Sequence, residues 1–225
     1  QVSLDSAFSK RVYVDGWLSS AYSAMDYIGE FSEPFRWTAD DLYHPDMKEY
    51  HEGNYSADNQ FSDSNQNESR LWKYYEGIRK ASTFVNNVDL CPELTMDEKT
   101  DMKGQARFLR AYCYWALMRV YGPVPLIPLE GLDVNLSYEE LSLPREHFDV
   151  LVDFVDKELM EAARSLPTKR TVNNLGRPTR GAALGLRSRV LLFAASPLFN
   201  GNTDLFDVKD CYGNLLIAQE YDESK

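Results

Sequence analysis

At 225 residues, with 44% apolar and 26% charged side chains, the chain has the size and composition of one good-sized globular domain with a real core. Thirty-five acidic against twenty-four basic residues leave a net charge of -11. That balance repels nucleic acid and other polyanions, and no basic patch offsets it, because Arg177, Arg180, Arg187 and Arg189 scatter over several faces at helical spacing.

Val14, Trp17, Leu18, Ala21, Tyr22 and Met25 recur at three-and-four spacing and predict a first helix, with Gly29 as its stop. Leu71, Tyr74, Tyr75, Ile78, Ala81, Ser82 and Val85 predict a second, ending before Cys91-Pro92. Thr95 and Glu98 form a capping box that opens a third helix toward Tyr121, closed by Gly122-Pro123. Along it Leu109, Cys113, Ala116 and Val120 make one apolar stripe, and Phe108, Tyr112 and Trp115 make another rotated around the axis. Two stripes require two packing partners.

A fourth helix is predicted from about Arg145 to Leu166, with Phe148, Leu151, Val152, Val155, Leu159 and Ala163 inward. Thr179 caps a fifth, carrying Ala183, Leu184, Val190, Leu191, Ala194 and Ala195, and Pro197 ends it. Like the third, the fifth is apolar around much of its circumference and is expected to be sheathed on at least two faces. Strand signals are scarce; the best is Asp210 to Ile217, where Gly213-Asn214 is placed to turn a small hairpin. The expectation is an all-α fold of stacked, tetratricopeptide-like helical hairpins with long irregular loops and at most a small β-hairpin, forming a single domain over residues 1–225.

Between the first two helices, residues 30–67 lack periodicity, and structureless stretches of this length usually bind something or are disordered. Phe31, Phe35, Trp37, Tyr43, Tyr50, Tyr55 and Phe61 are too many aromatics for a disordered linker. Carboxylates, amides and imidazoles stand among them, including Asp40, Asp41, His44, Asp46, His51 and Asn54. Flat amphipathic rings beside polar groups suit a sugar, since rings take its C–H face and polar groups its hydroxyls. Trp37, Tyr43, Tyr50 and Tyr55 are therefore candidate stacking rings, and Asp40, Asp41 and His51 candidate hydroxyl partners. The same rings would also serve as pins that hold a long loop onto the helices.

Other chemistries find little support. Three cysteines, Cys91, Cys113 and Cys211, exclude a fully paired disulfide framework and have no metal-binding spacing. His44 and His51 with Asp40 and Asp41 are a weak transition-metal pattern. Asp63, Asn65 and Asn67 begin like a calcium loop, but Glu68 and Tyr74 occupy positions that require Gly and Glu. No nucleophile elbow, zinc-protease helix or phosphate loop occurs, so neither catalysis nor a cofactor is expected. No run reaches the roughly 20 apolar residues of a bilayer crossing. Gln1 to Asp5 has no export-signal character, and Tyr221 to Lys225 reads as the start of a further helix, so a longer protein is expected.

Several of these segments, in order, resemble the SusD/RagB family of nutrient-binding surface lipoproteins of Bacteroidetes-type bacteria. They are Trp72-Lys-Tyr-Tyr-Glu-Gly-Ile-Arg-Lys-Ala-Ser-Thr-Phe-Val, Gln105-Ala-Arg-Phe-Leu-Arg-Ala-Tyr-Cys-Tyr, Arg119-Val-Tyr-Gly-Pro-Val-Pro-Leu, and the stretch from Thr179 to Gly201. Ser82 stands where the family usually has asparagine. The resemblance implies a tetratricopeptide-type scaffold, tethered outside the outer membrane by a lipidated N-terminal cysteine that this sequence lacks. Such a protein lids a TonB-dependent, SusC-like transporter and hands it glycans or, in some branches, peptides. Family members are usually about twice this long, and later segments supply part of their ligand surface. The resemblance makes Arg107, Arg110, Arg187 and Arg189 scaffold residues, expected to pair with carboxylates between helices. The rival reading is a pure interaction module in which the aromatic segment is an interface, since Tyr and Trp are enriched there too.

Overall fold

The computed structural model describes residues 4–25, 45, 52, 70–133 and 135–225. The helices are α1 (Leu4–Ala7), α2 (Arg11–Tyr22), α3 (Arg70–Asn87), α4 (Met96–Tyr121), α5 (Tyr138–Leu141), α6 (Phe148–Ser165) and α7 (Arg180–Ala194). Short 3-10 turns lie at Val88–Leu90, Val172–Asn174 and Thr203–Leu205. The long helices pack in chain order, α2 on α3, α3 on α4, α4 on α6 and α6 on α7. This is the expected all-α, tetratricopeptide-like array.

Helix α4 is its axis. Thr95 accepts the Glu98 amide while the Glu98 carboxylate accepts the Thr95 amide, so the predicted capping box forms. At the other end Gly122 sits at φ 65°, where a side chain would be strained. Between Met102 and Met118 only Lys103 and Arg107 escape full burial. Its two stripes face two partners, α3 on one side and α6 on the other. A fully buried aliphatic or aromatic side chain contributes about 1.5–3 kcal/mol, so this single helix anchors much of the core.

Close approach comes from missing side chains. A Cβ on Gly77 of α3 would lie 2.4 Å from the Ala24 Cβ and 2.9 Å from the Cys113 sulfur of α4. On the opposite side of α4, a Cβ on Gly104 would lie 2.9 Å from the Ser165 Cβ at the end of α6. Cys91 and Cys113 are buried cysteines outside any disulfide, and Cys211 is an exposed one.

Ion pairs fix the helices against one another. Arg107 reaches Glu158 of α6 at 2.6 Å, and the buried Arg110 lies 3.6 Å from the same carboxylate. Arg187 of α7 pairs with Asp156 of α6, and Arg170 grips Asp101 of α4 with two hydrogen bonds. Arg107, Arg110 and Arg187 thus behave as scaffold. Arg189 does not follow: it is exposed and has no carboxylate within ion-pair distance among the described residues.

The α4 cap carries a pH signature. The Arg11 guanidinium, 2.5 Å from the Glu98 carboxylate, and then the Thr95 amide and hydroxyl hold Glu98 down at about 2. A carboxyl depressed in the folded state favours folding above its ordinary range, and that contribution is lost as pH falls toward 2. An NMR titration is expected to place the Glu98 midpoint near 2, and Arg11→Ala to move it up toward the ordinary glutamate range. An unmoved midpoint would assign the effect to Thr95 alone.

Two expectations need correction. The Asp210–Ile217 hairpin is reduced to one isolated bridge, Lys209 to Leu215, around a turn with Gly213 at φ 86°. The Asp210 carboxylate accepts the Tyr212 and Asn214 amides, so the side chain takes amides a longer ladder would have used. The fifth predicted helix, α7, is covered over only part of its circumference among the described residues. It packs mainly on α6 and meets α4 where Phe193 sets its ring edge-on to Trp115; Ala183, Val190 and Ala194 are buried, while Leu184 and Leu192 are exposed. Its apolar count is raised by Gly181, Ala182 and Gly185, which carry little surface to bury, so composition overstated its need for cover.

Candidate ligand pocket

The seven ring and polar residues singled out in the sequence, Trp37, Asp40, Asp41, Tyr43, Tyr50, His51 and Tyr55, lie outside the described residues. So does nearly all of the 30–67 segment. The described residues nevertheless form a cavity of about 330 Å³ where that segment rejoins the array, between α3 and the stretch that follows α4.

One wall is a single face of α3. Trp72, Tyr75, Arg79, Ser82 and Thr83 follow helical spacing and so share that face, with Ile78 beside them. The Trp72 indole is 71% exposed, an unusual state for the largest apolar ring and the mark of a group available for contact. Ser82 is the reverse: 4% exposed, with a buried hydroxyl that has no hydrogen-bond partner among the described residues. Such orphans are rare because they cost desolvation without return.

The opposite wall is the run Ile127–Leu132. It has no regular structure, yet it is pinned. The Arg110 guanidinium donates to the Ile127 carbonyl, and the Ile127 amide donates to the Tyr114 hydroxyl, each at 2.8 Å. Asn86 of α3 holds the Leu129 carbonyl at 2.8 Å, and Tyr75 donates to the Pro125 carbonyl. A turn from Pro128 to Gly131, with the glycine at φ 82°, folds the end of the wall back. Burial pushes the Tyr114 phenol up to about 12 and raises that of Tyr75, so both remain neutral hydrogen-bonding groups across the physiological range.

Glu158 therefore acts at a distance. It holds Arg110, and Arg110 holds the wall. The cavity is preformed, its interior is hydrocarbon and ring, and its polar groups are few, which is the usual make-up of a small-molecule site. Sequence reasoning missed this wall because 122–133 reads only as a Pro/Gly break; the one hint was the unusual Ser82.

His147 is spent as a helix cap, its Nδ1 accepting the Asp149 amide at the start of α6. Among the described residues no group of three or more His, Cys, Asp and Glu side chains is placed to hold a metal ion. No described helix is long and apolar enough to cross a membrane.

A SusD-like family model, described as "Starch-binding associating with outer membrane", matches residues 8–192. The chain belongs to the SusD-like family. Two curated SusD-like relatives match: P25 of Formosa agariphila, 26% identical over 143 residues and 61% of this chain, and one from Bacteroides ovatus, 29% identical over 159 residues and 69% of this chain. The matched part covers 26% and 27% of those proteins, so the chain spans about a quarter of each by alignment. Among solved structures, BT4246 superposes with a TM-score of 0.70 at 26% identity, covering 96% of this chain and 37% of that one. A SusD-like protein from Bacteroides fragilis gives 0.69 at 26% identity over 85% of this chain and 36% of that one. The SusD-like fold is also seen in a laminarin-binding SusD-like protein, at a TM-score of 0.65, 18% identity and coverage of 84% and 41%.

Proposed function

We propose that this chain is part of a non-catalytic cell-surface protein that binds oligosaccharide outside the outer membrane and passes it to a TonB-dependent, SusC-like transporter. The observation that carries the reading is the exposed Trp72 ring at the mouth of a preformed cavity, in a chain of a family described as starch-binding. An aromatic face takes a sugar's C–H surface at little entropic cost, and a rigid platform loses little on binding. Trp37, Tyr43, Tyr50 and Tyr55 are proposed to extend the platform from the 30–67 segment, with Asp40, Asp41 and His51 meeting hydroxyls. A lipid anchor at the N-terminus of the full-length protein would tether it. Stacking with a few hydrogen bonds gives modest affinity, which suits capture followed by release.

Intrinsic tryptophan fluorescence titrated with a panel of oligosaccharides tests this. Saturable quenching by at least one glycan is expected, weakened about tenfold or more in Trp37→Ala and in Trp72→Ala, the loss of one good stacking contact. No response to any glycan, with capture of the transporter retained, would replace the reading with an interface role for the same surface.

A further inference from the structure

We infer that the cavity behind Trp72 receives an aryl group bearing one hydrogen-bonding oxygen, carried as a substituent on the bound glycan, and not a sugar ring. The inference rests on the oligosaccharide-binding reading and narrows it to substituted glycans. Its basis is a mismatch between the exposed ring and the interior behind it. Trp72 at the mouth is open and suits a sugar face. Behind it Ile78, Ile127, Leu129 and Leu132 present hydrocarbon, and the charged Arg79 and Glu130 are exposed residues. A pyranose pushed inside would strip water from several hydroxyls and find hardly more than the Ser82 and Thr83 side chains to replace it.

A flat ring with one oxygen meets the opposite balance. Its faces and edges cover hydrocarbon, and its oxygen satisfies the one buried hydroxyl that has no partner among the described residues, that of Ser82. The size agrees, since about 330 Å³ is at the small end of ligand pockets and holds one substituted ring, not a chain of sugars. The walls do not have to assemble, because Arg110, Tyr114 and Asn86 already hold the 127–129 backbone by hydrogen bonds of 2.8 Å. Preformed walls favour a rigid guest.

The test is calorimetric titration of the protein with 4-methylphenol, with toluene and with the same oligosaccharide panel, on wild type, Ser82→Ala and Ser82→Asn. Wild type is expected to bind 4-methylphenol saturably and about tenfold or more tighter than toluene. Ser82→Ala is expected to erase that preference, and Ser82→Asn, which fills the floor, to lose both aryl probes. Thermal melts report whether each variant folds. If Ser82→Asn does not fold, NMR contacts from the probe to the Ile78 and Leu129 methyl groups of the wild type decide instead, and their absence overturns the inference. Oligosaccharide binding without aryl binding, or equal aryl binding in wild type and folded Ser82→Asn, also overturns it and leaves the glycan reading standing. Aryl binding without any oligosaccharide response upholds the cavity and sinks the glycan reading.

Discussion

Glu158→Ala is expected to destabilise the protein by about 3–5 kcal/mol, because it strands a buried cation. Arg110 lies within the core with its side chain 2% exposed, over the Phe154 ring at 4.6 Å from the centroid. Its charge is answered by Glu158, which Arg107 also holds at 2.6 Å. With the carboxylate gone, two guanidinium groups one turn apart on α4 face each other's field with no counter-charge. Replacing the whole cluster with hydrocarbon would cost far less than removing one partner, since the loss comes from the uncompensated ion. Urea unfolding followed by circular dichroism measures the effect. A change under about 1 kcal/mol would mean that water reaches Arg110. The same variant should loosen the 127–132 wall, because Arg110 donates to the Ile127 carbonyl.

The second large effect is expected at Phe148→Ala, again about 3–5 kcal/mol. Phe148 is 1% exposed and stacks on Phe199 with ring centroids 3.9 Å apart and planes 6° from parallel, while Phe193 tilts against both. These rings tie the segment after α7 to the start of α6, and the Phe148 amide donates to the Leu216 carbonyl beside them. Truncation removes the ring surface and leaves a cavity that a stacked neighbour cannot fill by rotating. Urea unfolding of Phe148→Ala, Phe199→Ala and the double variant separates the pair. Losses that simply add would show that the rings are buried independently and the stack contributes nothing of its own.

Much of this array could be read from the residues, and the reasons differ by element. Thr95 with Glu98 and Gly122 mark the ends of α4 because capping is local chemistry, settled within four residues. The burial of α4 on both sides followed from two apolar stripes on one helix. The same local chemistry opens two further helices: His147 caps α6, and Ser137 with Glu140 caps α5 in a capping box of the same form as the Thr95 one. The environment of α7 was not legible, since an apolar helix states its need for neighbours but not which ones are present. The cavity was least legible of all, because its far wall is held by Arg110, Tyr114 and Asn86, contacts across 13 to 43 residues of sequence. The aromatic residues of 30–67 precede α3 in the chain, and their arrangement lies outside the described residues.

Amide hydrogen exchange, with and without the oligosaccharide that quenches tryptophan fluorescence, tests most directly the claim that a rigid array presents a preformed site. The expected result is slowest exchange over Ala106–Met118, unchanged by ligand, with new protection in the first turns of α3 and over Ile127–Leu132. Rapid exchange within Ala106–Met118, or protection gained only over Thr203–Ile217, would contradict the account.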